Sequence, residues 1–328
     1  MENMEYSDQR KLLQIQELIL RENDFLITSH VHPDGDSLAS ILAFASILKH
    51  HGKRYIILLD DDVPRKFDFL AGVDEITRFD GTQLPSPPNV SIFLDSSNIE
   101  RTGEIQSLVK KEATIIDIDH HPSNERFGTF NLIRDNESST VEIVYDLISS
   151  MQIPITPHIA SYVYTGILCD TGRFLFPNTT ARSLAICAEM VKKGASPDHI
   201  AKKLYLRMSH ETVLALASAL STLEFHFNGV VSCIYLSNGL ISKGEEIDTE
   251  GFVDYLLAID ETEVEFLMVE KEPNLFRVSF RSKSYVDVNE VAKKFGGGGH
   301  MRASGCTLKG SVDPVKNQIL GVLKDHLR

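Results

Sequence analysis

Apolar residues recur along this chain with two rhythms that replace one another in turn. QRKLLQIQELILRE, from residue 9, repeats them every three to four positions, the period of an amphipathic helix. DFLITSH then forms a short continuous apolar run, as a buried strand does. SLASILAFASILKHHG reads as a helix that Gly52 ends, and RYIILLD as a second strand. NVSIFLDSS and ATIIDIDHHP are two more buried runs, each closing on aspartate. Strand, helix, strand repetition predicts an α/β domain, a parallel sheet with helices on both faces.

Beyond residue 137 the pattern turns helical, in SSTVEIVYDLISSM, PHIASYVYTGILCDTG and TTARSLAICAEMVKKG. SPDHIAKKLYLRMSHETVLALASAL, from Ser196, predicts a linker of one or two helices. β character returns near Glu224 with EFHFNGVVSCIYLS, TEVEFLMVEKE and LFRVSFRSK, interspersed with helices at TEGFVDYLLAI and VNEVAKKF and a last helix after Asp313. The expected organisation is a first α/β domain over 1–190, a helical linker over 191–223 and a smaller α/β domain over 224–328.

Composition narrows the class. With 328 residues and 42% hydrophobic content the chain can bury two cores, at ~100–200 residues per domain. MENMEYSDQR has three acidic residues and no apolar stretch, so no signal or transit peptide is read here. The run from Met151 to Cys169 contains two prolines and a histidine, unlike a membrane span. Cys169, Cys187, Cys233 and Cys306 are widely spaced, which argues against a zinc knuckle or disulfide framework and for a reducing cytoplasm. A net charge of −13 argues against coating long nucleic acid. The charge is uneven: residues 241–272 carry eleven acids and two lysines, whereas 281–328 carry nine basic residues and four acids. A compact cationic site for a small anion fits the latter.

Chemistry-bearing residues gather in four places: His30, His32, Asp34 and Asp36 in SHVHPDGDS, Asp95 in LDSS, Asp119, His120 and His121 in DIDHHP, and Asp170 in CDTGRF. Each has a bland reading as a cap, turn or surface residue. Ligands of open parallel sheets bind beyond the carboxyl ends of the strands, so three of these clusters are expected on one edge. Carboxylates brought together there repel one another unless cations intervene, and two divalent ions would balance Asp34, Asp36, Asp95 and Asp170. Oxygen and imidazole donors without thiolate suit manganese or magnesium, with manganese preferred. Two such ions share a hydroxide nucleophile and clamp a phosphoryl group. Gly35 is expected to let the backbone turn tightly between Asp34 and Asp36.

HVHPDGDS, LDSS, DHHP and GILCDTGRF resemble the N-terminal motifs of the DHH phosphoesterases, and FGGGGHMRASG resembles the signature of their C-terminal DHH-associated domain. The resemblance implies that His30, Asp34 and Asp95 bind one metal and Asp36, Asp95, His120 and Asp170 the other. Asp95 would bridge them. It places His121 at the substrate, to hydrogen-bond the phosphate or protonate the leaving oxygen, and Asp119 behind a histidine. His32 falls outside the ligand set, and Arg101 stands where it could reach phosphate or simply start a solvated helix. Gly297, Gly298, Gly299, His300, Arg302 and Ser304 would form a substrate clamp, with Arg281 as a bidentate phosphate contact and Lys283 as a further cation or a surface residue.

The implied protein is a manganese phosphoesterase of the nanoRNase and 3'-phosphoadenosine 5'-phosphate phosphatase branch. Its partners would be short RNA oligonucleotides and nucleotide bisphosphates, not long duplexes or membranes, and a homodimer is left open. A soluble phosphodiesterase for linear or cyclic dinucleotides is the alternative within the same chemistry. A non-catalytic nucleotide-binding regulator is the alternative from another class.

Overall fold

A computed structural model describes residues 2–327 apart from 83, 85, 241–246, 248 and 250. It divides into two compact units, Met1–Arg207 and Met208–Arg328. In the first, α1 (Glu2–Arg21) leads into β1 (Asp24–Thr28), α2 (Gly35–His50), β2 (Arg54–Leu59), β3 (Ile76–Arg78), β4 (Val90–Leu94), β5 (Thr114–Asp119) and β6 (Phe130–Ile133). Four helices follow: α3 (Thr140–Ser150), α4 (Pro157–Asp170), α5 (Ala181–Lys192) and α6 (Pro197–Tyr205).

The six strands form one sheet in the order β3-β2-β1-β4-β5-β6, with all neighbours parallel. Strands of such a sheet are covered on both faces, which is why they read as unbroken apolar runs rather than alternating ones. Phe25 and Ile27 of β1 pack with Ile92, Ile116, Leu38, Phe44, Val163 and Ile167 on one face. Leu26, Leu58, Ile105 and Leu108 form a smaller cluster on the other. Chain order reverses between β1 and β4, and there the following loops diverge and leave a crevice beyond the strand ends. α2 is buried over nearly its whole length because it lies against both α3 and α4.

In the second unit, α7 (His210–Leu220) precedes β7 (Glu224–His226), β8 (Val231–Leu236), β9 (Val264–Glu272) and β10 (Leu275–Ser282). α8 (Val288–Lys293), β11 (Gly298–His300), β12 (Ala303–Lys309) and α9 (Val312–Lys324) complete it. Its sheet runs β11-β12-β10-β9-β8-β7, parallel between β8 and β9 and antiparallel elsewhere. Phe266, Val278 and Phe280 pack under Val291, Val315 and Ile319, while Leu267 and Val269 pack on the opposite face under Leu216, Phe252 and Leu256. No helix among the described residues is long and apolar enough to cross a membrane.

The two-domain α/β plan is the one the pattern predicts, with local differences. The stretch from Glu224 is a hairpin, because Phe227, Asn228 and Gly229 all adopt left-handed backbone angles and reverse the chain. The helix expected from Thr249 is a 3₁₀ segment over Val253–Ala258, and residue 250 of that stretch lies outside the described residues. β3 and β6 are edge strands of three and four residues, too short to leave a periodic signal. The tract from Ser196 is two helices, the second capped by Ser209, which accepts from the Thr212 N–H at 3.1 Å.

The four-glycine run is ordered structure rather than a flexible linker. Gly298, Gly299 and His300 pair with Gly305, Ser304 and Ala303, and a Cβ on Gly297 would lie 2.1 Å from the Gly305 carbonyl oxygen. Gly35 opens α2 rather than making a tight turn. It is glycine because a Cβ would stand 2.3 Å from Cys169 Sγ. Gly166 serves the same purpose one turn earlier on α4: its Cβ would come within 2.7 Å of Val141 Cγ1 and 2.8 Å of Asp36 Oδ1. Gly166→Ala should therefore destabilise the protein by about 1–3 kcal/mol through overpacking, read as a lower urea midpoint at unchanged m-value.

Candidate metal centre

Three strand ends and one helix end supply the centre. The loop after β1 carries His30 and Asp34 and leads into Asp36 at the start of α2, Asp95 follows β4 directly, β5 runs into Asp119, His120 and His121, and α4 ends at Asp170. Asp95 is 2% exposed and takes a left-handed backbone angle, φ 57°. Aspartate tolerates that region better than most residues. The Asp95 N–H donates to the Ile118 carbonyl at 3.0 Å, which holds the sharp exit from the strand.

The two oxygens of Asp95 face different partners. Oδ2 lies 3.6 Å from His30 Nε2, which is also 4.0 Å from Asp34 Oδ2. Oδ1 lies 3.7 Å from His120 Nε2, which is 3.3 Å from Asp170 Oδ2. His30, Asp34 and Asp95 thus form one group with ligand atoms close enough to share an ion, and Asp36, His120 and Asp170 form another. Each histidine is oriented from behind. His30 Nδ1–H donates to the Val31 carbonyl at 2.8 Å and His120 Nδ1–H to the Glu137 carbonyl at 3.3 Å, which turns both Nε2 atoms inward. The donors are carboxylate oxygen and imidazole nitrogen, and they suit a hard divalent cation.

Asp34 answers to both of its readings. Its Oδ1 caps α2 by accepting from the N–H groups of Asp36 and Ser37, each at 3.0 Å, while Oδ2 faces His30. Asp36 is gripped at the start of α3: Oδ2 accepts from Thr140 N–H at 2.6 Å and Oδ1 from Val141 N–H at 3.1 Å. Thr140 Oγ1 also donates to Asp95 Oδ1 at 3.0 Å. Thr140 is a residue that sequence reasoning missed, since SST before a helix reads as an ordinary cap. Asn178 is another; its amide donates to the Asp170 carbonyl at 3.1 Å.

Burial, and then the charges of Asp95 and Asp170, push Asp36 well above the usual carboxylate range. Burial, Asp95 and Asp34 do the same to Asp170. Asp95 goes the other way: burial would raise it, but the His30 hydrogen bond and the neighbouring imidazoles hold it far below its ordinary value. Burial alone would lower His30, yet Asp95 and Asp34 leave it raised. A cluster so charged fits a site that divalent ions neutralise.

His121 is placed differently from His120. Its Nδ1–H donates to Asp119 Oδ1 at 2.7 Å, and that oxygen also accepts the backbone N–H of His120 at 2.8 Å and of His121 at 3.2 Å. His32 is exposed and tied to Asp61, whose Oδ2 is 2.9 Å from its Nδ1. Arg101 keeps its side chain at the surface, and its carbonyl receives the Val31 N–H at 2.7 Å.

In the second unit the expected substrate residues have internal partners. Arg281 Nε donates to Asp254 Oδ1 at 3.1 Å and Nη1 to the Phe280 carbonyl at 3.0 Å. Arg302 Nη1 donates to the Val286 carbonyl at 2.7 Å and Nη2 to that of Ser284. Lys283 donates to the Ile259 carbonyl, and buried Ser304 to that of Val288 at 2.6 Å. Glu224, His226 and Cys233 also lie close together, but Lys316 holds both oxygens of Glu224 at 2.9 and 3.0 Å and already neutralises it.

Residues 24–167 match the DHH family, N-terminal domain, and residues 230–327 match the DHHA1 domain. A Thermus thermophilus protein named bifunctional oligoribonuclease and PAP phosphatase NrnA is 33% identical over 307 residues, covering 93% of this chain and 91% of its own. The chain belongs to the DHH family. A Bacillus subtilis protein of the same name is 28% identical over 92% of this DHH-family chain and 95% of its own. A crystal structure of an exopolyphosphatase-related protein from Bacteroides fragilis superposes with a TM-score of 0.87 at 26% identity, over 97% of this chain and 95% of that one. The family match in the first unit stops at residue 167, three residues short of Asp170, which the fold brings to 3.3 Å from His120 Nε2.

Two outcomes follow from this geometry. Thr140→Val keeps the shape and the backbone N–H but removes the bond to Asp95, and should weaken affinity for a divalent cation about 10–100-fold in a calorimetric titration. In chelator-treated protein, Asp36, Asp170, His30 and His121 all have raised values, so the native state holds more protons than the unfolded one. The contribution of His30 and His121 to stability is complete below their ordinary value of 6.5, that of Asp36 and Asp170 only below 3.8, and each is lost as pH rises from there through the raised value. The metal-free Tm should fall from pH 6 towards pH 8, and saturating manganese should flatten that slope, as measured by scanning calorimetry.

Proposed function

We propose that this chain is a divalent-metal phosphoesterase, with manganese as its metal, that hydrolyses short RNA oligonucleotides from an end to mononucleotides and converts 3'-phosphoadenosine 5'-phosphate to AMP. The observation that carries the reading is Asp95, whose two oxygens each face a separate group of imidazole and carboxylate donors. That is the arrangement a bridging carboxylate needs. The names of the Thermus and Bacillus relatives, which this chain matches over nearly its full length, support the two substrate classes.

When bound, the ions would supply an activated water and neutralise charge on the phosphoryl group. His30, Asp34 and Asp95 would hold one, and Asp36, Asp95, His120 and Asp170 the other. His121 donates through Nδ1 to Asp119, which sets the direction of its ring. We assign it the proton that the leaving oxygen takes. In the second unit we assign the Gly297–Gly299 hairpin with His300 and Arg302 to substrate binding. Arg281 is preset by Asp254, so its phosphate contact would run through Nη2. The net charge of −13 favours substrates with few phosphates over long polymers.

Rates with manganese on the bisphosphonucleotide, a dinucleotide, a five-mer and a 24-mer RNA test this reading. The first three should turn over and the 24-mer should lag well behind. Asp95→Ala should lose more than about 100-fold, beyond the range typical of outer partners. Equal rates on the dinucleotide and the 24-mer would remove the short-substrate assignment. Tight nucleotide binding without turnover would point to a regulator instead.

A further inference from the structure

Asp119 is wholly buried, and its carboxylate is shared between two tasks. Oδ1 serves His121, as described above. Oδ2 accepts from the Asn124 side-chain amide at 2.8 Å. Asn124 lies five residues further on, in a loop whose Glu125 N–H donates to the Ser97 carbonyl at 2.8 Å, just past β4. The same amide group reaches the Ser96 carbonyl at 3.1 Å, one residue past Asp95, and Asp117 Oδ1 at 3.3 Å. Its own oxygen accepts the Arg126 N–H at 2.6 Å, and its backbone N–H donates to the His121 carbonyl at 3.1 Å.

These bonds make Asn124 a strut between three parts of the centre: the exit from β4, the end of β5 and the segment bearing His121. An amide that donates to Oδ2 fixes the rotation of the Asp119 carboxylate, and with it the direction in which Oδ1 meets His121. Asp117 competes weakly for the amide. Burial pushes its carboxyl up to about 8, so at neutral pH it is mostly the uncharged form, and its contact is the longest of the three.

We propose that Asn124 is a positioning residue for the hydrolysis: it orients Asp119, which in turn holds the His121 ring so that Nε2 meets the leaving oxygen. The inference rests on the assignment of His121 made under the proposed function. In the step concerned, water gives up a proton to solvent as its oxygen bonds to phosphorus, the bond from phosphorus to the leaving oxygen breaks, and the Nε2 proton of a His121 protonated on both nitrogens passes to that oxygen, leaving a neutral imidazole with Nδ1–H on Asp119. A misdirected ring would slow departure of an alkoxide and leave substrate and metal binding intact.

The test compares two substrates. A dinucleotide expels a nucleoside oxygen that needs a proton, whereas a p-nitrophenyl ester of a nucleotide expels a group that leaves without one. Asn124→Ala removes the strut, and Asn124→Asp keeps the acceptor for Arg126 while removing both donors, so at least one variant keeps the loop's own turn. Each folded variant should lose about 10–100-fold in kcat on the dinucleotide, with KM and manganese affinity within about twofold, and no more than about threefold on the p-nitrophenyl ester. Equal losses on both substrates, or a loss seen in manganese affinity, would overturn the proposal. His121→Ala, run beside them, separates the two readings. If it too loses equally on both substrates, the proton assignment of His121 is wrong. If it loses selectively and the Asn124 variants do not, only the positioning role is wrong.

Discussion

Crowding of like charge around Asp95 is the constraint to which the first unit is built. Asp34, Asp36 and Asp170 bring carboxylates towards it, and His30 and His120 approach its two oxygens from different sides. Left to themselves these groups drive one another apart in protonation state: Asp36 and Asp170 are raised by burial and by the charges around them, while Asp95 is lowered by its imidazole partners. Removing several ionised carboxylates from water is costly unless opposite charge accompanies them. A site of this kind persists because the fold over-determines it and a cation rewards it.

The surrounding structure supplies that determination with backbone groups wherever it can. The first turn of α3 directs two N–H groups at Asp36, and its Thr140 hydroxyl reaches Asp95. Carbonyls of Val31 and Glu137 set the tautomer and direction of His30 and His120. Glycine at 35 and 166 lets α2 and α4 approach within distances that any Cβ would forbid. Backbone partners cost little rotamer entropy, so ligand atoms held this way are already placed when an ion arrives.

In the second unit the same economy changes how its cations are understood. Arg281 and Lys283 are expected as cationic contacts and Arg302 as part of the glycine-run clamp, yet each binds a carbonyl or carboxylate of its own unit. Arg302 fastens the turn at 284–286 by its carbonyls, and Glu263 fastens it by accepting from the N–H groups of Ser284, Tyr285 and Val286 at 2.7–3.1 Å. Guanidinium groups pinned on one side are preorganised on the other.

The sequence by itself determined the α/β class, because period-3.6 and continuous apolar runs report directly on which faces are buried. It also determined the family, because the four acidic and histidine motifs and the GGGGH signature stand in order along the chain. Edge strands as short as β3 and β6 escaped it, since three or four half-exposed residues carry no period. Thr140 and Asn124 escaped it for another reason: a threonine at the start of a helix and an asparagine in a loop look the same whether or not a buried carboxylate lies beside them. Only the tertiary structure decided which oxygen of Asp95 faces which histidine, that Asp34 is both cap and inward-facing donor, and that His32 turns out to Asp61. Those outcomes depend on how separate strand ends are brought together at the reversal between β1 and β4, and no local run of residues encodes a direction relative to segments a hundred positions away.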